Sequence, residues 1–85
     1  MRINGIDLAP FSKAQCRLLV LLGLNTPRLM TIGELIECAY PDPDEEPDDA
    51  EECVRSRIRD IRARLRGWTV TGVWGRGYIL ERLNG

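Results

Sequence analysis

Six arginines stand at positions 55, 57, 59, 62, 64 and 66, threaded through the apolar residues Val54, Ile58, Ile61 and Leu65. That apolar spacing is one face of an α-helix, so the stripe is expected to be buried and the guanidinium groups to surround it. A guanidinium is always charged and presents its donors in a planar fork that matches phosphate oxygens and the O6/N7 edge of guanine. Asp60 is the one acid inside the run, and like charges three or four residues apart cost about 0.2–0.5 kcal/mol per pair. The bland reading is a solvated, salt-bridged surface helix. The shortage of acids favours an external polyanion instead, and a duplex phosphate backbone is the natural one.

At about 100° per residue the four apolar side chains fall within about 60° of one another. The far side holds Ser56 and Ala63, small enough to let the backbone approach base edges. Arg55, Arg59, Arg62 and Arg66 line one flank; Arg57 and Arg64 line the other. Asp60 follows Arg57 by three positions and precedes Arg64 by four, so it is expected to hold both in ion pairs. A second role for it is to accept from cytosine N4. Downstream, the glycine-rich stretch Gly72–Gly77 contains Arg76, suited to a phosphate or the minor groove as a second contact, and Trp74, which either stacks on a sugar or folds into the core beside Trp68. The expected DNA-binding set is Arg55, Ser56, Arg57, Arg59, Arg62, Arg66, Trp74 and Arg76.

The formal net charge of -1 conceals a sharp internal boundary. Residues 42–52 carry eight acids and no base, whereas residues 53–85 carry eight arginines against Asp60 and Glu81. A basic surface is felt locally, within a Debye length of about 10 Å, so the sum over the chain does not cancel the basic half.

Other chemistries find few residues to work with. The chain has no histidine, no Ser/Cys–His arrangement, and carboxylates concentrated in a Pro-interrupted loop, so no enzyme is expected. Cys16, Cys38 and Cys53 share no metal-ligand spacing and read as free thiols, with no metal or other cofactor. The glycine cluster precedes a strand, which argues against a phosphate-cradling loop. The longest apolar stretch, 18–24, is too short to span a membrane, and no secretory leader is evident. A cytoplasmic, nucleoid-associated protein without a membrane partner is expected.

Eighty-five residues with 44% hydrophobic content suffice for one small core, hence a single domain over 1–85. Asn4-Gly5 between Ile3 and Ile6 predicts a type I′ hairpin over 2–8. Ser12 with Gln15 predicts a capping box opening a first helix, 12–24, and Thr31 with Glu34 another opening a second helix, 31–40. Residues 41–48 read as an exposed acidic loop, followed by a third helix over 49–66 with Gly67 at its C-cap. Two strands around the glycine-rich tip complete a hairpin over 68–82, with Trp68 and Tyr78 expected in the core. The resulting α+β class is a winged helix-turn-helix: short N-terminal hairpin, three-helix cluster and C-terminal β-hairpin wing.

Four segments in order give this pattern a family likeness. FSKAQCRLLVLL, MTIGELIECAY, VRSRIRDIRARL and VWGRGYIL resemble the first, second and recognition helices and the wing of the OmpR/PhoB-type response-regulator effector domain. The resemblance implies a sequence-specific, double-stranded-DNA-binding transcriptional regulator of bacterial or phage type, with the recognition helix in the major groove. It also implies that the loop before that helix, including Asp42, Asp44, Glu45 and Glu46, touches RNA polymerase or another partner. Binding to direct repeats as a head-to-tail homo-oligomer is expected. No receiver domain is evident, so the expectation is a stand-alone binder without a phosphorylation switch. Asp60 and Trp74 replace basic residues of the family, which implies a different base preference. The alternative is a protein-interaction module, in which the arginine helix or the acidic loop docks another protein without direct DNA readout.

Overall fold

The computed structural model describes residues 2–83. Strands β1 (Arg2–Ile3) and β2 (Ile6–Asp7) pair antiparallel around Asn4 and Gly5, whose φ values of 52° and 83° are the two positive angles a type I′ turn demands. The Asn4 amide donates to the Gly23 carbonyl at 2.8 Å, tying the hairpin to helix α1 (Lys13–Asn25). Gly23 sits inside that helix because a Cβ there would press on the Ile3 side chain at 3.1 Å. A mid-helix glycine costs about 1 kcal/mol in propensity, and here close hairpin docking offsets it.

Both capping boxes form. Ser12 Oγ accepts from the Gln15 amide at 3.2 Å, and Gln15 Oε1 accepts from the Ser12 amide at 2.9 Å. Helix α2 (Ile32–Ala39) opens with the same reciprocal pair, Thr31 and Glu34, each bond 3.1 Å. The expected helix bounds of 31 and 40 are therefore its two caps, Thr31 and Tyr40. The acidic loop is not featureless. Pro43–Glu45 form one 3-10 turn, capped by Asp42, whose side chain accepts from the Asp44 amide at 3.0 Å.

Helix α3 spans Ala50–Arg64, two residues shorter at its C-terminus than the expected 66. Leu65 is extended (φ -70°, ψ 144°) and packs on the core, and Gly67 at φ 76° turns the chain into the next strand. The reason is pairing. Strand β4 (Trp68–Val73) opposes β5 (Gly77–Arg82) from Trp68↔Arg82 onward, and the Gly67 carbonyl accepts from the Leu83 amide at 2.9 Å. Arg66 is thereby removed from the helical flank.

A strand without a sequence signal, β3 (Met30–Thr31), pairs with β5, giving the sheet order β3-β5-β4. Gly77 is what admits it: a Cβ there would collide with the Met30 carbonyl. The fold is thus α+β, three helices against a small antiparallel sheet. Leu18, Leu19 and Leu22 of α1, Leu35 of α2, Val54, Ile58 and Ile61 of α3, and Val70 and Leu80 of the sheet are buried together. Trp68 and Tyr78 are half-buried and pack against this cluster.

Candidate nucleic-acid interface

Helix α3 is anchored by Ala50, Val54, Ile58 and Ile61, all buried. Everything else follows from that anchoring: at 3.6 residues per turn the remaining positions must point to the sides or outward. Ser56, Arg59, Asp60 and Ala63 are exposed. Acids Glu51 and Glu52 lie in the first turn and Arg62 and Arg64 in the last, the arrangement the helix dipole favours.

The arginines divide by what they touch. Arg55 pairs with Glu51 at 3.2 Å, both half-exposed. Such an i,i+4 pair contributes about 0.3–0.5 kcal/mol, too little to neutralise the ridge. Arg57 is half-buried with its guanidinium 5.2 Å from the Tyr40 ring centroid, a cation–π contact. Arg64 donates to the Pro10 carbonyl at 2.9 Å. The expected pairs of Asp60 with Arg57 and Arg64 do not form, because these internal partners hold both guanidiniums. Glu51, one turn ahead of Arg55, is the pair that the same spacing rule should have picked out, with the acid on the favoured N-terminal side.

Arg62 is exposed but not free. Its Nε donates to the Val70 carbonyl of β4 at 2.9 Å, so this flank of α3 faces the C-terminal hairpin. Because β4 is an edge strand, the contact also occupies a carbonyl that would otherwise be open for pairing. Arg59 and Arg66 are exposed and take no hydrogen bond, ion pair or ring contact among the described residues. Only two ion pairs occur among the described residues, Arg28–Glu34 and Arg55–Glu51, so five of the six clustered arginines have no carboxylate partner there.

The hairpin tip lies across a cleft of about 460 Å³ from Glu51 and Arg55. Its turn is closed by the Arg76 amide donating to Val73 O at 3.0 Å, with Gly75 at φ 74°. Arg76 is exposed, and Trp74 is 98% exposed. The choice between core and surface for Trp74 therefore falls on the surface. Arg82, absent from the expected set, lies 5.8 Å from the Trp68 ring centroid at the other end of the hairpin.

Asp42, Asp44, Glu45 and Glu46 are all exposed on the loop between α2 and α3. Glu34 is held below the usual carboxylate range, first by the Thr31 backbone and hydroxyl bonds and then by Arg28. All three cysteines are free thiols; burial pushes the Cys38 thiol up, and its Sγ points at the Arg17 carbonyl at 3.4 Å. Among the described residues no cluster of metal-ligating side chains and no helix long and apolar enough to cross a membrane occurs. No protein-family model matches the chain, and a search of curated proteins finds no match.

Proposed function

We propose that this protein is a winged-helix, OmpR/PhoB-type binder of double-stranded DNA that regulates transcription. In this reading α3 is the recognition helix in the major groove. Exposed Ser56 and Ala63 allow close approach, while Arg55, Arg57, Arg59, Arg62 and Arg66 read bases or hold phosphates. The β4–β5 hairpin is the wing, with Trp74 and Arg76 on backbone or minor groove. The observation that carries the reading is the arginine flank of α3, where only Arg55 has a carboxylate partner among the described residues, set beside a hairpin whose tip presents a cation and an aromatic to solvent.

The decisive experiment is duplex titration at two salt concentrations. Phosphate contacts give a log–log slope of about -0.9 per contact, so a slope of several units supports the proposal. A chain that binds no duplex at low salt, yet captures a protein partner, is an interaction module instead. Asp42, Asp44, Glu45 and Glu46, exposed and without an ion pair among the described residues, are the observation favouring that second reading, with RNA polymerase as the partner class.

A further inference from the structure

We propose that Trp74 is an aromatic wedge that enters the minor groove and unstacks a base step, so that the protein selects duplexes able to bend there. The inference rests on the duplex-binding reading and adds a specificity-determining residue and a class of target to it.

Trp74 carries the largest apolar side chain in the repertoire, with about 150–250 Å² to bury, and is 98% exposed. Nothing in the fold requires it at that place. The turn is made by the Val73 carbonyl, the Arg76 amide and the positive φ of Gly75, and the Trp74 side chain plays no part in it. The hairpin below it is braced by its neighbours. Six consecutive register pairs join β4 to β5, Gly77 is sealed against β3, and Arg62 bolts Val70 to α3. A rigid support matters because a wedge unstacks bases only if it does not recoil.

The surroundings select the occupant. An aromatic anchor for a protein partner sits within a ring of other residues that exclude water. Trp74 has Gly75 and Arg76 beside it and the Arg55–Glu51 pair across the cleft, and the apolar residues that line the same cleft, Ile32, Val73 and Tyr78, are half-buried and do not ring it at the surface. The other exposed large apolar residues lie elsewhere, Leu83 beyond the opposite end of the hairpin and Leu24 near the end of α1. An exposed indole beside the exposed Arg76 guanidinium fits a polyanion with apolar surface inside it. A duplex minor groove, with phosphates outside and base faces within, has that layout.

Apolar wedges partly unstack a base step and kink the duplex toward the major groove, and the cost is least at flexible TA and CA/TG steps. The expected target therefore carries such a step one groove away from the bases read by α3.

The test uses the full chain and short duplexes that differ only in having a TA step or a stiff A-tract at the wing position. Affinity, salt slope and bend angle (by end-to-end energy transfer) are measured for wild type, Trp74→Ala and Trp74→Phe. Wild type is expected to bend the TA duplex and bind it more tightly than the A-tract. Trp74→Ala should lose about five- to 150-fold in affinity, as for one lost base–aromatic stack, with the salt slope unchanged because no charge is removed. The preference for the TA duplex and most of the bend should vanish with it, while Trp74→Phe keeps part of both. Unfolding temperatures should be equal, since the side chain is 98% exposed. A Trp74→Ala protein that binds and bends like wild type overturns the wedge and leaves duplex binding standing. Wild type that binds neither duplex at low salt overturns both.

Discussion

Arg59→Ala isolates the central premise, because it removes a charge with no job inside the fold. The side chain is exposed on α3 and meets no partner among the described residues. It also lies four positions after Arg55 and three before Arg62, so it takes part in two like-charge neighbourhoods on one flank. Each such pair costs about 0.2–0.5 kcal/mol, and alanine is the better helix former. The substitution should therefore stabilise the free protein by up to about 1 kcal/mol, a rise of a few degrees in unfolding temperature for a domain of this size. Binding should move in the opposite direction. If the six arginines of the proposed surface each meet a phosphate, the log–log salt slope is about -5, and affinity falls about a thousandfold between 50 and 200 mM salt. Losing Arg59 reduces the slope by about 0.9, so the wild-type advantage shrinks about three- to fourfold over the same interval. Fluorescence anisotropy at several salt concentrations, with thermal melts of the unbound proteins, reads both quantities. A slope identical to wild type, or a melting temperature several degrees lower, would mean that Arg59 serves the fold and would refute the reasoning.

Three further outcomes follow from particular contacts. Arg62→Met keeps the aliphatic stem but loses the bond to Val70 O, which should cost about 0.5–1.5 kcal/mol in denaturant melts and raise amide exchange in β4, whereas charge-preserving Arg62→Lys should restore the salt slope without restoring the melt. Gly77→Ala should be among the most damaging single-methyl changes, several kcal/mol, because the new Cβ meets the Met30 backbone and β3 must leave the sheet; loss of Met30 and Thr31 protection in hydrogen exchange checks it. Glu34 binds its proton less readily folded than unfolded, so its contribution to stability is present above the ordinary carboxylate pKa of about 4.3 and disappears as pH falls through its lowered folded value. Melts of Glu34→Gln, which retains a capping acceptor but cannot ionise, should accordingly show a shallower loss of stability on acidification than wild type.

Much of the local structure was legible because each signal acts within a few residues. Asn4-Gly5, the Ser12/Gln15 and Thr31/Glu34 boxes, and the Val54, Ile58 and Ile61 stripe of α3 each satisfy their own backbone or bury their own face. The sequence places the end of α3 two residues late because Arg66 and Gly67 satisfy helix-ending rules only until a strand competes for them, and the pairing partner, β5, lies far along the chain. β3 was invisible for the same reason: two residues carry no periodicity, and the sequence cannot tell that Gly77 leaves room for them.

Composition and spacing alone determined that six arginines surround a buried stripe and that Asp60 is the one acid inside their run. Which arginines also brace the fold was decided only by tertiary structure. Tyr40, Pro10 and Val70, all from other elements, engage Arg57, Arg64 and Arg62, leaving Arg59 and Arg66 with none of these contacts. The same is true of Trp74, whose side chain could pack inward or face water until the closed turn and filled core left it outside. Helical periodicity assigns a residue to a face, but a long side chain reaches past its own element, and what it finds there depends on which segments the fold has brought alongside.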